Sequence, residues 1–158
     1  MSNSIKKVSL EDMYPIINEQ LENGGAVELP ITGTSMLPLL IQGRDFVTIT
    51  SCDIAKKNDI IFYRRDDGHF VLHRVIGKDE KGYILCGDNQ VVKEYGIKDE
   101  HIIGVVNSIK RKNKCFSVDK LLYKIYSQIW IILLPMRNII LFPIRRIKRF
   151  TNNKESRV

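Results

Sequence analysis

Disulfide chemistry has almost nothing to work with in this chain. Its three cysteines, Cys52, Cys86 and Cys115, are an odd number and form no C-x-x-C pair. That set argues against a disulfide framework and for a reducing compartment. No metal-ligand spacing joins them to His69, His73 and His101, so no structural metal site is expected. Long apolar runs are missing too. Residues 1–25 contain no apolar core of the secretory type, so no signal peptide is expected. The longest uncharged stretch near the C-terminus, 125–136, is interrupted by Ser127, Gln128 and Pro135. It falls short of the about 20 apolar residues that cross a bilayer. No internal repeat or low-complexity tract occurs, which excludes solenoid architectures.

What is present suits one globular domain. The chain has 158 residues, 44% hydrophobic and 27% charged, enough to bury a core. The net charge of +7 is unevenly placed. Residues 1–104 hold 12 Lys and Arg against 16 Asp and Glu, whereas residues 105–158 hold 13 against 2. A mildly acidic body therefore carries a basic tail, which calls for an anionic partner.

The spacing predicts a helix over 9–23. Ser9 is placed to cap it, Leu10, Met13, Ile17 and Leu21 share a face, and Gly24-Gly25 ends it. Pro15 predicts a kink or a later start at Tyr14. From Ala26 to Lys110 the pattern is β, with strands at 26–31, 45–50, 59–65, 69–77, 82–86 and 102–109. Asp66-Asp67-Gly68 and Lys81-Gly82 read as hairpin turns. No helical run interrupts these strands, so a mainly β fold is expected: a small antiparallel, coiled, barrel-like core. The chain thus divides into an N-terminal helical segment (1–25), a β core (26–110) and a basic amphipathic helical tail (111–158). In the tail, Leu121, Leu122, Ile125, Ile129, Ile132 and Leu133 follow helical spacing over 118–134. A second amphipathic run follows over 136–150. Tyr126 and Trp130 amid aliphatics and cations suit a helix lying in a membrane interface, and packing on the barrel suits it equally.

Three places carry chemistry. Thr32-Gly33-Thr34-Ser35-Met36-Leu37-Pro38 puts a serine on a stiff bend at the lip of an apolar surface. His73 lies among the valines of Phe70-Val71-Leu72-His73-Arg74-Val75-Ile76, where partial desolvation favours the neutral, proton-accepting imidazole. Asp88, in the turn Cys86-Gly87-Asp88-Asn89-Gln90, could orient a histidine. Each segment alone is also an ordinary buried serine, structural histidine or turn.

Taken in order, Ser35-Met36-Leu37-Pro38-Leu39, Lys57-Asn58-Asp59-Ile60-Ile61-Phe62-Tyr63, His73-Arg74-Val75-Ile76 and Gly87-Asp88-Asn89 resemble the boxes of the type I signal peptidase superfamily, which includes the LexA-like self-cleaving repressors. The resemblance covers about residues 30–107 and extends to short bacterial peptidase-like members. Bacterial-type enzymes of that superfamily use a Ser–Lys pair. Their lysine position falls on His73 here, the pattern of the endoplasmic-reticulum-type branch.

That resemblance implies a serine endopeptidase with Ser35 as nucleophile and His73 as general base. It implies acidic residues at Asp88 and, by spacing, Glu94, with Asp88 the preferred partner of His73. The Ser35 amide is a candidate oxyanion donor. Gly33 stands where many members carry a hydroxyl, and Thr34 or Thr32 is a candidate substitute. No metal or organic cofactor is implied. The implied substrate is an extended precursor, leader or signal-type peptide with small residues before the cleaved bond, paired as an added strand.

Two departures bear on this reading: no N-terminal anchor is evident, and about 25 leading residues do not supply a DNA-binding domain. The expected location is cytoplasmic or peripheral to the cytoplasmic membrane, with the 118–150 tail on an anionic surface. The tail's cations alternate with aliphatics rather than with stacking aromatics, which argues against nucleic acid. A peptide-binding or regulatory module of the same fold with weak or absent catalysis stays open. So does a membrane-bound signal peptidase whose tail inserts.

Overall fold

In the computed structural model, residues 9–137 and 139 are described. Helix α1 (Leu10–Glu22) begins where Ser9 accepts a hydrogen bond from the Asp12 amide, and it carries Pro15 in its interior. Ile17 and Leu21 are its buried residues. Eight strands follow: β1 (Ala26–Pro30), β2 (Asp45–Thr50), β3 (Ile60–Arg64), β4 (Phe70–Asp79), β5 (Gly82–Cys86), β6 (Glu94–Ile97), β7 (Ile102–Arg111) and β8 (Lys114–Ser117). Helix α2 (Leu121–Ile132) comes after the strands and is followed by a 3-10 turn over Leu134–Met136 that contains Pro135.

All strand pairs are antiparallel. The order is β1-β2-β7-β3-β4-β5-β6, with β8 added to β7. The sheet is mainly β as expected, but it stays open, with β1 and β6 at its ends. Strand β7 is central: it pairs with β2 over Val105–Arg111 and with β3 over Ile102–Val105. Two strands, β6 and β8, were not expected from the sequence. The basic segment at 111–114 is the tip of the β7–β8 hairpin.

Strand β3 is buried on both faces. Ile60 and Phe62 join one apolar cluster with Leu29, Val47, Ile49, Met36, Leu40 and α1. Ile61 and Tyr63 join the other with Val75, Tyr83 and Leu85. Period-two alternation accounts for the uninterrupted apolar run Ile60-Ile61-Phe62-Tyr63.

Helix α2 packs on the sheet, but not through its aliphatic residues. Its aliphatic stripe points outward: Leu121, Leu122, Ile125, Ile129 and Ile132 are exposed. Its inner face is aromatic and polar, with Ser127 and Trp130 buried and Tyr126 stacked on Trp130. Tyr126 and Trp130 therefore serve the protein side of the helix, not an interface with lipid. The reason is the partner they meet, because Trp130 Nε1 donates to the Asp88 carbonyl at 3.0 Å. The second run, 136–150, lies mostly outside the described residues.

Candidate active site

Ser35 sits in the irregular segment between β1 and β2. Gly33 takes a φ of 79°, open to glycine and costly for other residues. Its amide donates to Gln42 Oε1 at 3.0 Å, which pins the start of the bend. Met36 and Leu40 are buried and anchor the far side. The Leu37 amide donates to Thr34 O and the Leu40 amide to Met36 O, closing the turn. Ser35 is left half-buried at its lip.

The turn after β5 grips this bend. The Asn89 amide donates to Ser35 O at 2.7 Å, and Asn89 Nδ2 donates to Thr34 O at 3.1 Å. Between Ser35 and His73 lies Gly87. A Cβ at Gly87 would sit 2.7 Å from the Ser35 carbonyl oxygen and 3.0 Å from both His73 Nε2 and Gln90 Oε1. Only a residue without a side chain lets the two segments approach this closely.

His73 is 1% exposed and pairs with Ile61 across the β3–β4 ladder. Its two nitrogens face different surroundings. Nδ1 lies 3.0 Å from Glu94 Oε1 and 3.2 Å from the Tyr63 hydroxyl. The Tyr63 hydroxyl donates its one proton to Glu94 Oε2 at 2.8 Å. Ionised Glu94 only accepts, so Nδ1 carries the ring proton and Nε2 keeps its lone pair. Nε2 faces Gly87, and His73 and Ser35 both line one cavity. Burial pushes the His73 pKa below its ordinary value, against the opposing charge of Glu94. A neutral imidazole with a free Nε2 can accept a proton at neutral pH.

Burial pushes Glu94 up, but hydrogen bonds from Arg65 and Tyr63 and the charge of His73 outweigh it. Its carboxyl is held below the usual range. Arg65 supplies the main charge as a two-pronged partner, Nε to Oε2 at 2.8 Å and Nη2 to Oε1.

Asp88 serves a different group. Both of its oxygens meet Arg74, Nε to Oδ1 at 2.8 Å and Nη2 to Oδ2 at 2.7 Å, with both side chains fully buried. Successive strand residues point to opposite faces, so the carboxylate that meets Arg74 is on the far side of β4 from the His73 ring. The expectation that Asp88 holds His73 is corrected accordingly: Glu94 occupies that place. Arg74 Nη1 adds hydrogen bonds to Asn58 O, Tyr123 Oη and Ser127 Oγ, which ties α2 to the sheet. Arg137, also buried, reaches the Gly87 and Gln90 carbonyls at 3.0 and 3.3 Å and caps Trp130 O at 2.8 Å.

Ser35 and His73 border a cavity of about 510 Å³. Its walls are the β1 segment Glu28–Pro30, residues 31–33, Phe62, the β4 segment Phe70–Leu72, and Leu10 and Met13 of α1. Among the described residues, both flanking strands have an unpaired edge there. β1 ends the sheet, and β5 pairs with β4 only from Arg74 onward. Among the described residues, neither the Ser35 hydroxyl nor its amide N–H has a hydrogen-bond partner. Gln90, which also lines the cavity, Tyr63, Arg65, Arg74 and Arg137 were not singled out by the sequence reading. Tyr63 and Arg74 stand inside the quoted boxes and Gln90 inside the quoted turn, but nothing local marked their roles, and Arg65 and Arg137 had no signal. No group of His, Cys, Asp and Glu able to hold a metal occurs among the described residues.

A search of curated proteins found no match. A family model described as Peptidase S24-like matches residues 2–107, two-thirds of the chain, and ends inside β7. The bend at Ser35, the His73 strand and the Gly87-Asp88-Asn89 turn all fall within that match, and the chain belongs to the peptidase S24-like family.

Proposed function

We propose that the chain is a serine endopeptidase in which Ser35 is the nucleophile, His73 the general base and Glu94 the carboxylate that orients His73. The observation that carries this reading is the one-sided histidine: Nδ1 is held by Glu94, Nε2 lies on the Gly87 side, and His73 and Ser35 line one cavity. Nε2 takes the Ser35 proton as Oγ attacks a peptide carbonyl, and Glu94 stabilises the imidazolium. The tetrahedral oxyanion takes a hydrogen bond from the Ser35 amide, and a donor of this kind contributes about 3–4 kcal/mol. Thr34 is the second candidate donor. Collapse passes the proton from His73 to the leaving amine, and water then hydrolyses the acyl-enzyme. Catalytic hydrogen bonds often tighten only with substrate bound, which accords with an unpaired Ser35 hydroxyl.

The substrate class follows from the walls. Free edges of β1 and β4 flank the cavity, so an extended peptide fits as an added strand, with its side chains against an apolar surface. A precursor, leader or signal-type peptide with small residues before the cleaved bond meets that description. Three free cysteines accord with a cytoplasmic setting. No helix among the described residues is long and apolar enough to cross a membrane.

An acylating serine-protease inhibitor tests the reading. Mass spectrometry is expected to find the adduct on Ser35 in the wild type and none in Ser35→Ala. Equal labelling of His73→Ala and wild type would overturn the role of His73. A second reading, a peptide-binding module without catalysis, is favoured by Gly33, which removes one oxyanion hydroxyl. Peptide binding by wild type and Ser35→Ala alike, with cleavage by neither, would select it.

A further inference from the structure

Helix α2 has two faces with different business. Tyr123, Ser127 and Trp130 hold the Arg74–Asp88 pair and the turn behind the cavity. On the opposite side Leu121, Ile125, Ile129 and Ile132 form one stripe by helical spacing, widened by Leu122. Leu122 is 81% exposed and Ile129 50%. Met136 continues the apolar patch beyond the helix. An aliphatic surface of this extent is not left to water without a use.

The charges around the stripe indicate what covers it. Within α2 the one charged residue is Lys124, and it pairs with Asp119 at 3.5 Å. Residues 140–158 carry Arg145, Arg146, Lys148, Arg149, Lys154 and Arg157 against the single acid Glu155. The stripe itself carries no carboxylate, and an apolar helix face followed in the sequence by a strongly basic stretch matches an anionic bilayer in both respects. An anionic bilayer supplies apolar depth for the aliphatics and negative headgroups for the cations.

We propose that the outer face of α2 docks flat on an anionic membrane surface, to which the basic composition of the sequence that follows adds electrostatic attraction. This inference is independent of catalysis. It places the cavity next to the bilayer because the helix that docks also backs the Gly87–Gln90 turn.

Flotation of the full chain with vesicles tests it. Phosphatidylcholine vesicles containing about one-third phosphatidylglycerol are expected to carry the protein at low salt. Neutral vesicles or high salt are expected to lower the bound fraction several-fold. The double change Ile125→Glu with Ile129→Glu is expected to weaken partition about tenfold or more. If that variant does not fold, Leu122→Glu gives the same reading at a more exposed position. Ser35→Ala is expected to float as wild type does, so loss of the peptidase reading and loss of this one are separate results. Wild type remaining in solution, or the glutamate variants floating unchanged, would overturn the proposal. So would a wild-type dimer that the same variants dissolve, since a second copy would then own the face.

Discussion

Glu94 Oε1 lies 3.0 Å from His73 Nδ1, on a four-residue strand that also delivers the carboxylate to Arg65 and Tyr63. One acid thus sets the tautomer of the histidine while two neighbours keep that acid ionised. The arrangement separates two carboxylates of which the sequence reading preferred the other, Asp88, as the partner of His73.

Glu94→Gln and Asp88→Asn are therefore expected to fail in different ways. The first keeps the shape but permits the wrong imidazole tautomer, so kcat should fall about 10²–10⁴-fold with little change in Tm. The second leaves the buried Arg74 without its counter-charge, at a cost of about 3–5 kcal/mol. Parallel thermal melts and cleavage assays check the split. A large Tm loss in the glutamine variant with no rate effect would contradict it.

The pH dependence follows from His73. Its folded pKa is below the ordinary 6.5 because burial disfavours the imidazolium. Cleavage is expected to rise with pH through a midpoint below 6.5 and to stay flat from there to neutrality. Stability has the same sign. The unfolded chain binds the proton more readily than the folded one, so this contribution is intact above pH 6.5 and declines as pH falls towards the folded pKa. His73→Gln should flatten that part of a urea-denaturation profile, which compares the two chains between pH 4 and 7.

Gly87→Ala tests the wedge between the two segments. The added methyl would meet the Ser35 carbonyl at 2.7 Å, a backbone atom that cannot swing aside. Overpacking of this kind costs about 1–3 kcal/mol, and displacement of Ser35 from His73 should lower kcat at least tenfold. The variant's Tm and its labelling rate by an acylating inhibitor report the two effects separately.

Arg137 supports the same turn from behind. Arg137→Met strips hydrogen bonds from the Gly87, Gln90 and Trp130 carbonyls, each worth about 1 kcal/mol or more when left unmet in a buried site. A loss of about 2–4 kcal/mol is expected in chemical denaturation. Arg137→Lys should recover little of it, because an ammonium cannot fork across three carbonyls.

Much of the sheet was legible because short β-branched and aromatic runs alternate with strong turns. The bounds of β2 and β5 match the reading, and the Ser9 cap announced α1. β6 and β8 were missed for a shared reason. Glu94-Tyr95-Gly96-Ile97 and Lys114-Cys115-Phe116-Ser117 are four-residue strands with mixed polarity, and neighbouring strands, not local propensity, make them extended. Pro15 sits inside α1 without ending it, where tertiary burial of Ile17 and Leu21 outweighs the lost backbone bond.

The site divides along the same line. Ser35 and His73 were singled out by the ordered boxes of the family resemblance, since locally a serine on a bend and a histidine among valines each read equally as ordinary structure. The partner of His73 could not be chosen between Asp88 and Glu94 by spacing, because the decision lies with Arg74, which claims Asp88 across the sheet. The outward stripe of α2 was visible as a pattern, but its direction was not. An aromatic face that donates a hydrogen bond to the Asp88 carbonyl and accepts one from Arg74 competes better for the interior than aliphatics do.

The position of β7 has a consequence for synthesis. Residues 26–50 and 60–97 each form antiparallel pairs among themselves, yet β7 alone joins them through β2 and β3. During synthesis the two groups of strands are therefore expected to keep open edges until the last long strand can join them. Until Arg111 has emerged and reached Asp45, chaperones and proteases should find more to bind than they do afterwards.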